Sequence, residues 1–322
     1  MNSKANIIEQ DIDTDVSEAY VSATINTEGE ETSYVPLPLG NALSIEEIKD
    51  IVCWEKALFI ALVGPAGCGK TTLTAAIYQF FLKQNVDEYF FAGSKTLLGF
   101  EHRSFLTRIR SDGSKPDTIK TQRGADEILH LRLLLKKQSK YLNLLFTDFS
   151  GEDFASVIGN IQYAKADFEI VRSAHVLIAL LDGEALCIPE QRNGCVTKAI
   201  ELIKTFSDSN LITDQTKIIL AVSKCDLVKK KATENPLILD YLNTIPNKLK
   251  VTLQGCKLNI DYMNLAAFSD NKEIFDADKS LSTLLDKFAT LSSDPISTAN
   301  RSASNELHSQ FNRFFGISRG GL

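Results

Sequence analysis

The sequence predicts an α/β fold with a mostly parallel central sheet flanked by helices. Three observations carry that prediction. Apolar runs of strand length alternate with helix-length patterns, the first run opens directly onto a glycine-rich loop and a helix, and two later runs end in short polar boxes. The strand-like runs are 57–63, 128–135, 142–147, 175–181, 217–222 and 261–268. Helices fit between them at 70–83, 152–172, 196–208 and 235–249.

Residues 1–47 are acidic, with Lys4 as the sole basic residue, and read as a mobile tail in which Tyr20 to Ile25 could add one strand. Ser44 followed three residues later by Glu47 is a capping-box pattern, so a short helix through about Trp54 should lead into a domain spanning 48–290. Residues 291–322 are rich in Ser and Asn. They hold one amphipathic stretch, Glu306 to Ile317, whose Leu307, Phe311, Phe314 and Phe315 share a face.

The glycine-rich loop reads Gly64-Pro65-Ala66-Gly67-Cys68-Gly69-Lys70-Thr71, a complete G-x-x-x-x-G-K-[ST] motif in its strand–loop–helix context. Glycines let backbone N–H groups turn toward phosphate oxygens, and the helix start at Thr72 adds the positive end of its dipole. Lys70 supplies a charge for β- and γ-phosphates, and the Thr71 hydroxyl can ligate Mg²⁺. The chain is thus expected to bind a nucleoside phosphate.

Two boxes refine this. The strand 142–147 runs into Asp148-Phe149-Ser150-Gly151-Glu152, where Asp148 can hold Mg²⁺ and the Gly151 N–H can meet a γ-phosphate. Isolated, Asp-x-x-Gly often marks a plain turn; its place at a strand tip gives it weight. The strand 217–222 runs into Ser223-Lys224-Cys225-Asp226, an [Asn/Thr]-Lys-x-Asp box except at its first position. The Asp226 carboxylate can accept from guanine N1–H and the 2-amino group, a donor pair that adenine lacks. The Lys224 stem can lie along the base, and the Ser223 hydroxyl can bond neighbouring loops. A weaker fourth box is Ala266-Ala267-Phe268-Ser269, in which the Ala267 backbone would reach guanine O6. GTP or GDP with Mg²⁺ is the expected ligand.

Composition narrows the rest. The chain has 322 residues, 44% hydrophobic and 24% charged, and a formal charge of −6. That acidic balance argues against nucleic-acid binding as the main activity. Six scattered cysteines with no C-x-x-C pair point to a reduced, cytoplasmic compartment. No signal-peptide pattern and no membrane-spanning apolar run is present in the sequence. His130 and His175 sit in apolar runs and read as hydrogen-bonded core residues.

In order and context, these boxes resemble those of Ras-like, translation-factor-class GTPases of the P-loop NTPase fold, over about residues 57–290. The stretches Phe90 to Glu101 and Thr118 to Gly124, with Leu129 to Leu133, resemble the bacterial double-GTPase group of multi-gene conflict systems. That resemblance implies a nucleotide-controlled switch acting on unidentified effector proteins. It also implies a switch threonine before the strand at 127–135. Thr118 and Thr121 both stand there, and Thr121 is the nearer. The segment 93–124 reads as a long, aperiodic switch insertion, and its Arg123 could serve as an arginine finger in cis. Glu152 occupies the place where many such proteins carry a water-orienting Gln, so Lys70, Thr121 and Glu152 are the candidate catalytic residues.

Overall fold

The computed structural model describes residues 40–53, 55–83, 88–108, 127–151, 153–269 and 271–293. The acidic stretch 1–39, Thr118, Thr121, Arg123, Glu152 and the Glu306 to Ile317 pattern lie outside the described residues.

Among the described residues, seven strands form one sheet: β1 (Ala57–Val63), β2 (Tyr89–Gly93), β3 (Ile128–Leu135), β4 (Lys140–Asp148), β5 (Val176–Leu181), β6 (Lys217–Val222) and β7 (Asn259–Asn264). Their order is β2-β3-β4-β1-β5-β6-β7. From β4 to β7 every neighbouring pair is parallel; β3 runs antiparallel to both β2 and β4. The apolar runs are continuous because both faces are covered. Along β1, for example, Phe59, Ala61 and Val63 enter one core while Leu58, Ile60 and Leu62 enter the other.

Short helices α1 (Lys49–Val52), α4 (Phe154–Val157), α5 (Ile161–Asp167) and α6 (Gly183–Leu186) accompany α7 (Pro189–Asp208), α8 (Cys225–Glu234) and α9 (Leu237–Thr252). Helices α2 (Lys70–Lys83), α3 (Leu97–Arg108) and α10 (Ala277–Ser293) complete the described set. The first core takes Phe154, Phe168, Phe206 and Ile245; the second takes Ile77, Phe100, Leu284 and Phe288. No described helix is long and apolar enough to cross a membrane.

The capping box forms as a reciprocal pair. The Ser44 N–H donates to Glu47 Oε2 at 2.8 Å, and the Glu47 N–H to Ser44 Oγ at 3.4 Å. Residue 43, expected in the tail, is instead fastened to the sheet: Leu43 and Ile128 exchange both backbone bonds.

Four expectations need correction. The segment 93–124 is not aperiodic throughout, since Leu97–Arg108 is helix α3. Its buried positions include Arg103 and Ser104 beside Phe100, so no apolar stripe announces it. The expected helix 152–172 is broken. Gly159 has φ 76°, Asn160 Oδ1 caps α5 by accepting from Tyr163 N–H, and Glu169–Ser173 is a 3-10 turn. The helix expected at 235–249 runs instead over Leu237–Thr252 as α9, and a separate helix that was not expected, α8, precedes it; the two part at Asn235-Pro236, where proline cannot continue the bonding of the preceding turn. The last strand ends at Asn264 rather than residue 268.

Candidate functional site

Because β4, β1, β5, β6 and β7 are parallel, the loops after them emerge at one end of the sheet, outside the carboxyl ends of the strands where α/β folds form ligand crevices. The loop 64–71 follows β1, residues 149–151 follow β4, Asp182 follows β5, Ser223 follows β6 and Leu265 follows β7.

The loop after β1 turns through Gly67 (φ 75°) and Gly69 (φ 98°) into α2. Lys70 folds back over it: its ammonium donates to the Gly64 carbonyl at 2.7 Å and the Pro65 carbonyl at 3.2 Å, and lies 5.2 Å from the centre of the Phe154 ring. Only 6% of Lys70 is exposed, so this is a desolvated cation whose partners fix its direction. Cys68 is fully buried beneath the loop, and burial pushes its thiol up to about 11 despite the nearby Lys70 charge. It is a packing residue rather than a nucleophile.

Gly151 stands against this loop. A Cβ there would fall 2.4 Å from Ala66 Cα, 2.5 Å from Ala66 N and 2.8 Å from Lys70 Nζ. On either side of it in the chain, Phe149 and Phe154 join an aromatic cluster, with ring centres of Phe149 and Phe168 5.0 Å apart, Phe154 and Phe168 5.2 Å, and Phe168 and Phe206 5.7 Å. Asp148 closes β4 opposite Leu62 of β1; only its backbone is described.

The loop after β6 is tied on both sides. The Ser223 N–H and hydroxyl both donate to the Leu181 carbonyl, at 2.9 and 3.0 Å. The Cys225 N–H donates to Leu265 O at 3.0 Å, and the Leu265 N–H to Val222 O at 2.7 Å. Those bonds tie the loop to Leu265, the residue that leads into Ala266 and Ala267. Lys224 takes the left-handed conformation (φ 52°), and half-buried Asp226 sits in the first turn of α8. Lys224 Nζ is 2.9 Å from Asp182 Oδ1 and 3.4 Å from Glu184 Oε2. Burial alone would lower the lysine; the bond and charge of Asp182, joined by Glu184, outweigh it and leave the ammonium above its ordinary range. Cys225 is buried, and its thiol is pushed up to about 12 by burial.

The family model of the Double-GTPase 2 group matches residues 58–289, a span holding every box described above. The chain belongs to the Double-GTPase 2 family. Membership in this group implies a guanine nucleotide as ligand, and the sheet with its phosphate-loop strand and helix is a G-domain-like P-loop fold. A solved structure titled as the signal recognition particle receptor SRb-GTP/SRX complex from Chaetomium thermophilum is 14% identical, covers 72% of this chain and 98% of that chain, and has a TM-score of 0.41. So slight a likeness carries no functional weight. A search of curated proteins gave no match.

Within this Double-GTPase 2 domain, Gly64 to Thr72 and Gly151 gather at one part of the sheet end, and Ser223, Lys224, Asp226 and Ala267 at another. Three contributors were missed from sequence: Asp182, Glu184 and Phe154. Asp182 had a readable signal, an acidic residue at the tip of the apolar run 176–181, the same rule that singles out Asp148.

Proposed function

We propose that this chain is a Mg²⁺-dependent, GTP-binding molecular switch that hydrolyses GTP slowly and controls effector proteins. The observation that carries it is the Ser223–Asp226 loop, pinned by Leu181 and Leu265 at the same sheet end as the phosphate loop. In this reading the N–H groups of 66–71 and Lys70 bind the phosphates, Asp226 and Lys224 hold the base, and the Ala267 backbone meets its O6. Ser223 takes the place of an amide by bonding the β5 end.

The donors expected to hold the ion, the Thr71 hydroxyl and Asp148 carboxylate joined by Thr121, are oxygen ligands of the kind Mg²⁺ accepts, and β4 lies beside β1, which leads into Thr71. When bound, Mg²⁺ supplies charge neutralisation for the phosphates. The switch reading assigns the γ-phosphate contacts to Gly151 and to Thr121 or Thr118, coupling nucleotide state to the chain around them. A cytoplasmic setting and a role in a bacterial conflict system belong to the same reading.

A second reading is a nucleotide-holding scaffold without useful hydrolysis, favoured by Glu152 in place of a water-orienting amide. Phosphate release from GTP by the purified chain separates the two. Sustained turnover that Lys70→Ala abolishes supports the switch, whereas tight binding without turnover supports the scaffold.

A further inference from the structure

Lys224 is a non-glycine residue at positive φ, a conformation that costs energy and persists only where neighbours enforce it. The neighbours here belong to the turn after β5. The Leu181 carbonyl accepts twice from Ser223, and Gly183, two residues on, allows the close approach: a Cβ there would fall 2.0 Å from the Ser223 carbonyl oxygen. Asp182 Oδ1 caps α6 by accepting from the Glu184 N–H at 3.1 Å, and the same oxygen lies 2.9 Å from Lys224 Nζ. Glu184 Oε2 stands behind at 3.4 Å. The pair is partly withdrawn from water, with side-chain exposures of 27% for Lys224 and 22% for Asp182.

We propose that Asp182, supported by Glu184, is the positioning residue of the base-binding loop: it anchors the Lys224 ammonium so that the lysine stem is fixed along the surface on which the purine lies. The two carboxylates draw the charge of Lys224 away from the phosphates, leaving Lys70 to the triphosphate and the Lys224 methylenes to the ring. Asp182 thus acts on the base alone, through Lys224. The proposal rests on the guanine reading of Ser223–Asp226.

The test measures affinity of the full chain for GTP, ATP and inorganic tripolyphosphate, each with Mg²⁺. Asp182→Asn keeps an oxygen to cap α6 and removes the charge. It is expected to weaken GTP binding about tenfold while tripolyphosphate binding stays unchanged, and to have no further effect in a Lys224→Met background. Glu184→Gln, which leaves the cap untouched, should shift GTP the same way by about threefold. Unchanged GTP affinity in both variants overturns the proposal. So does an equal loss on tripolyphosphate, or a loss undiminished in Lys224→Met. If the unmutated chain binds ATP as well as GTP, it is the guanine reading that fails, and the proposal falls with it.

Discussion

Gly151 and Ala66, far apart in the chain, approach so closely that a single methyl group on Gly151 would overlap the Ala66 backbone, at 2.4 Å from its Cα. The obstacle is backbone, which cannot swing aside as a flexible side chain would, and Lys70 Nζ is next in line at 2.8 Å. Gly151→Ala is therefore expected to fold, because the methyl meets the loop rather than either core, but to lose at least about tenfold in GTP affinity as Lys70 is displaced. Calorimetric titration checks it; wild-type affinity would show that the two loops separate when nucleotide binds.

If Asp226 reads the guanine edge, Asp226→Asn exchanges a double acceptor for an amide that also donates. GTP binding should weaken by about 2–3 kcal/mol, and xanthosine nucleotide, whose 2-oxo group can accept from that amide, should gain. Competition between GTP and xanthosine triphosphate on the variant gives the answer. Unaltered preference would remove Asp226 from the base site.

Acid should weaken the fold through two histidines, His130 buried and His175 half-buried. His130 accepts the Lys95 N–H on Nδ1 at 3.0 Å and pairs through Nε2 with Asn143 Oδ1; His175 accepts the Phe59 N–H at 3.1 Å. Burial lowers both rings below 6.5, an effect that the Asn143 bond only partly offsets at His130 and that the Lys56 charge adds to at His175. A lowered folded-state value means that the unfolded chain takes up the proton first. Stability is thus complete above about pH 6.5 and declines as pH falls below it toward the folded values. Urea midpoints between pH 8 and 5 should fall, and less steeply in His175→Asn. Midpoints that rise on acidification would contradict this.

Hydrolysis is expected to be slow. In the proposed reading Glu152 stands where a water-orienting amide would, and a carboxylate there opposes a transition state in which the γ-phosphate gains charge. Turnover should lie near about 10⁻⁴ to 10⁻² per second, and Glu152→Gln should raise it or leave it unchanged. Turnover above about one per second that is lost in Glu152→Gln would make Glu152 a catalytic base instead.

Strands β1, β3, β4, β5 and β6 were legible because their physics is local, whereas β2, with Phe90 and Phe91 exposed, matched no expected run and β7 lies apart from its expected bounds. A strand buried on both faces must be apolar throughout, so the run 57–63 coincides with β1 end to end. The boxes stand out as motifs for the same reason, since each gathers its polar residues into four to eight consecutive positions. Helix α3 was not, because its buried side includes Arg103, which donates to the Gly99 carbonyl and pairs with Glu127. Its burial is satisfied by tertiary partners that no periodicity reports. Helix α10 did carry a signal that went unread, with Leu281, Leu284, Leu285 and Phe288 at helical spacing. Asp182 and Phe154 act on Lys224 and Lys70 across gaps in sequence that only the folded chain closes.

The most direct measurement is the affinity of the unmutated chain for GTP and for ATP, each with Mg²⁺, by calorimetry under one buffer. A carboxylate reading two guanine donors should favour GTP by at least about a hundredfold, the range that an unpaired buried acceptor imposes against the wrong base. Equal affinities would contradict the guanine assignment of Ser223–Asp226 and leave only a phosphate loop.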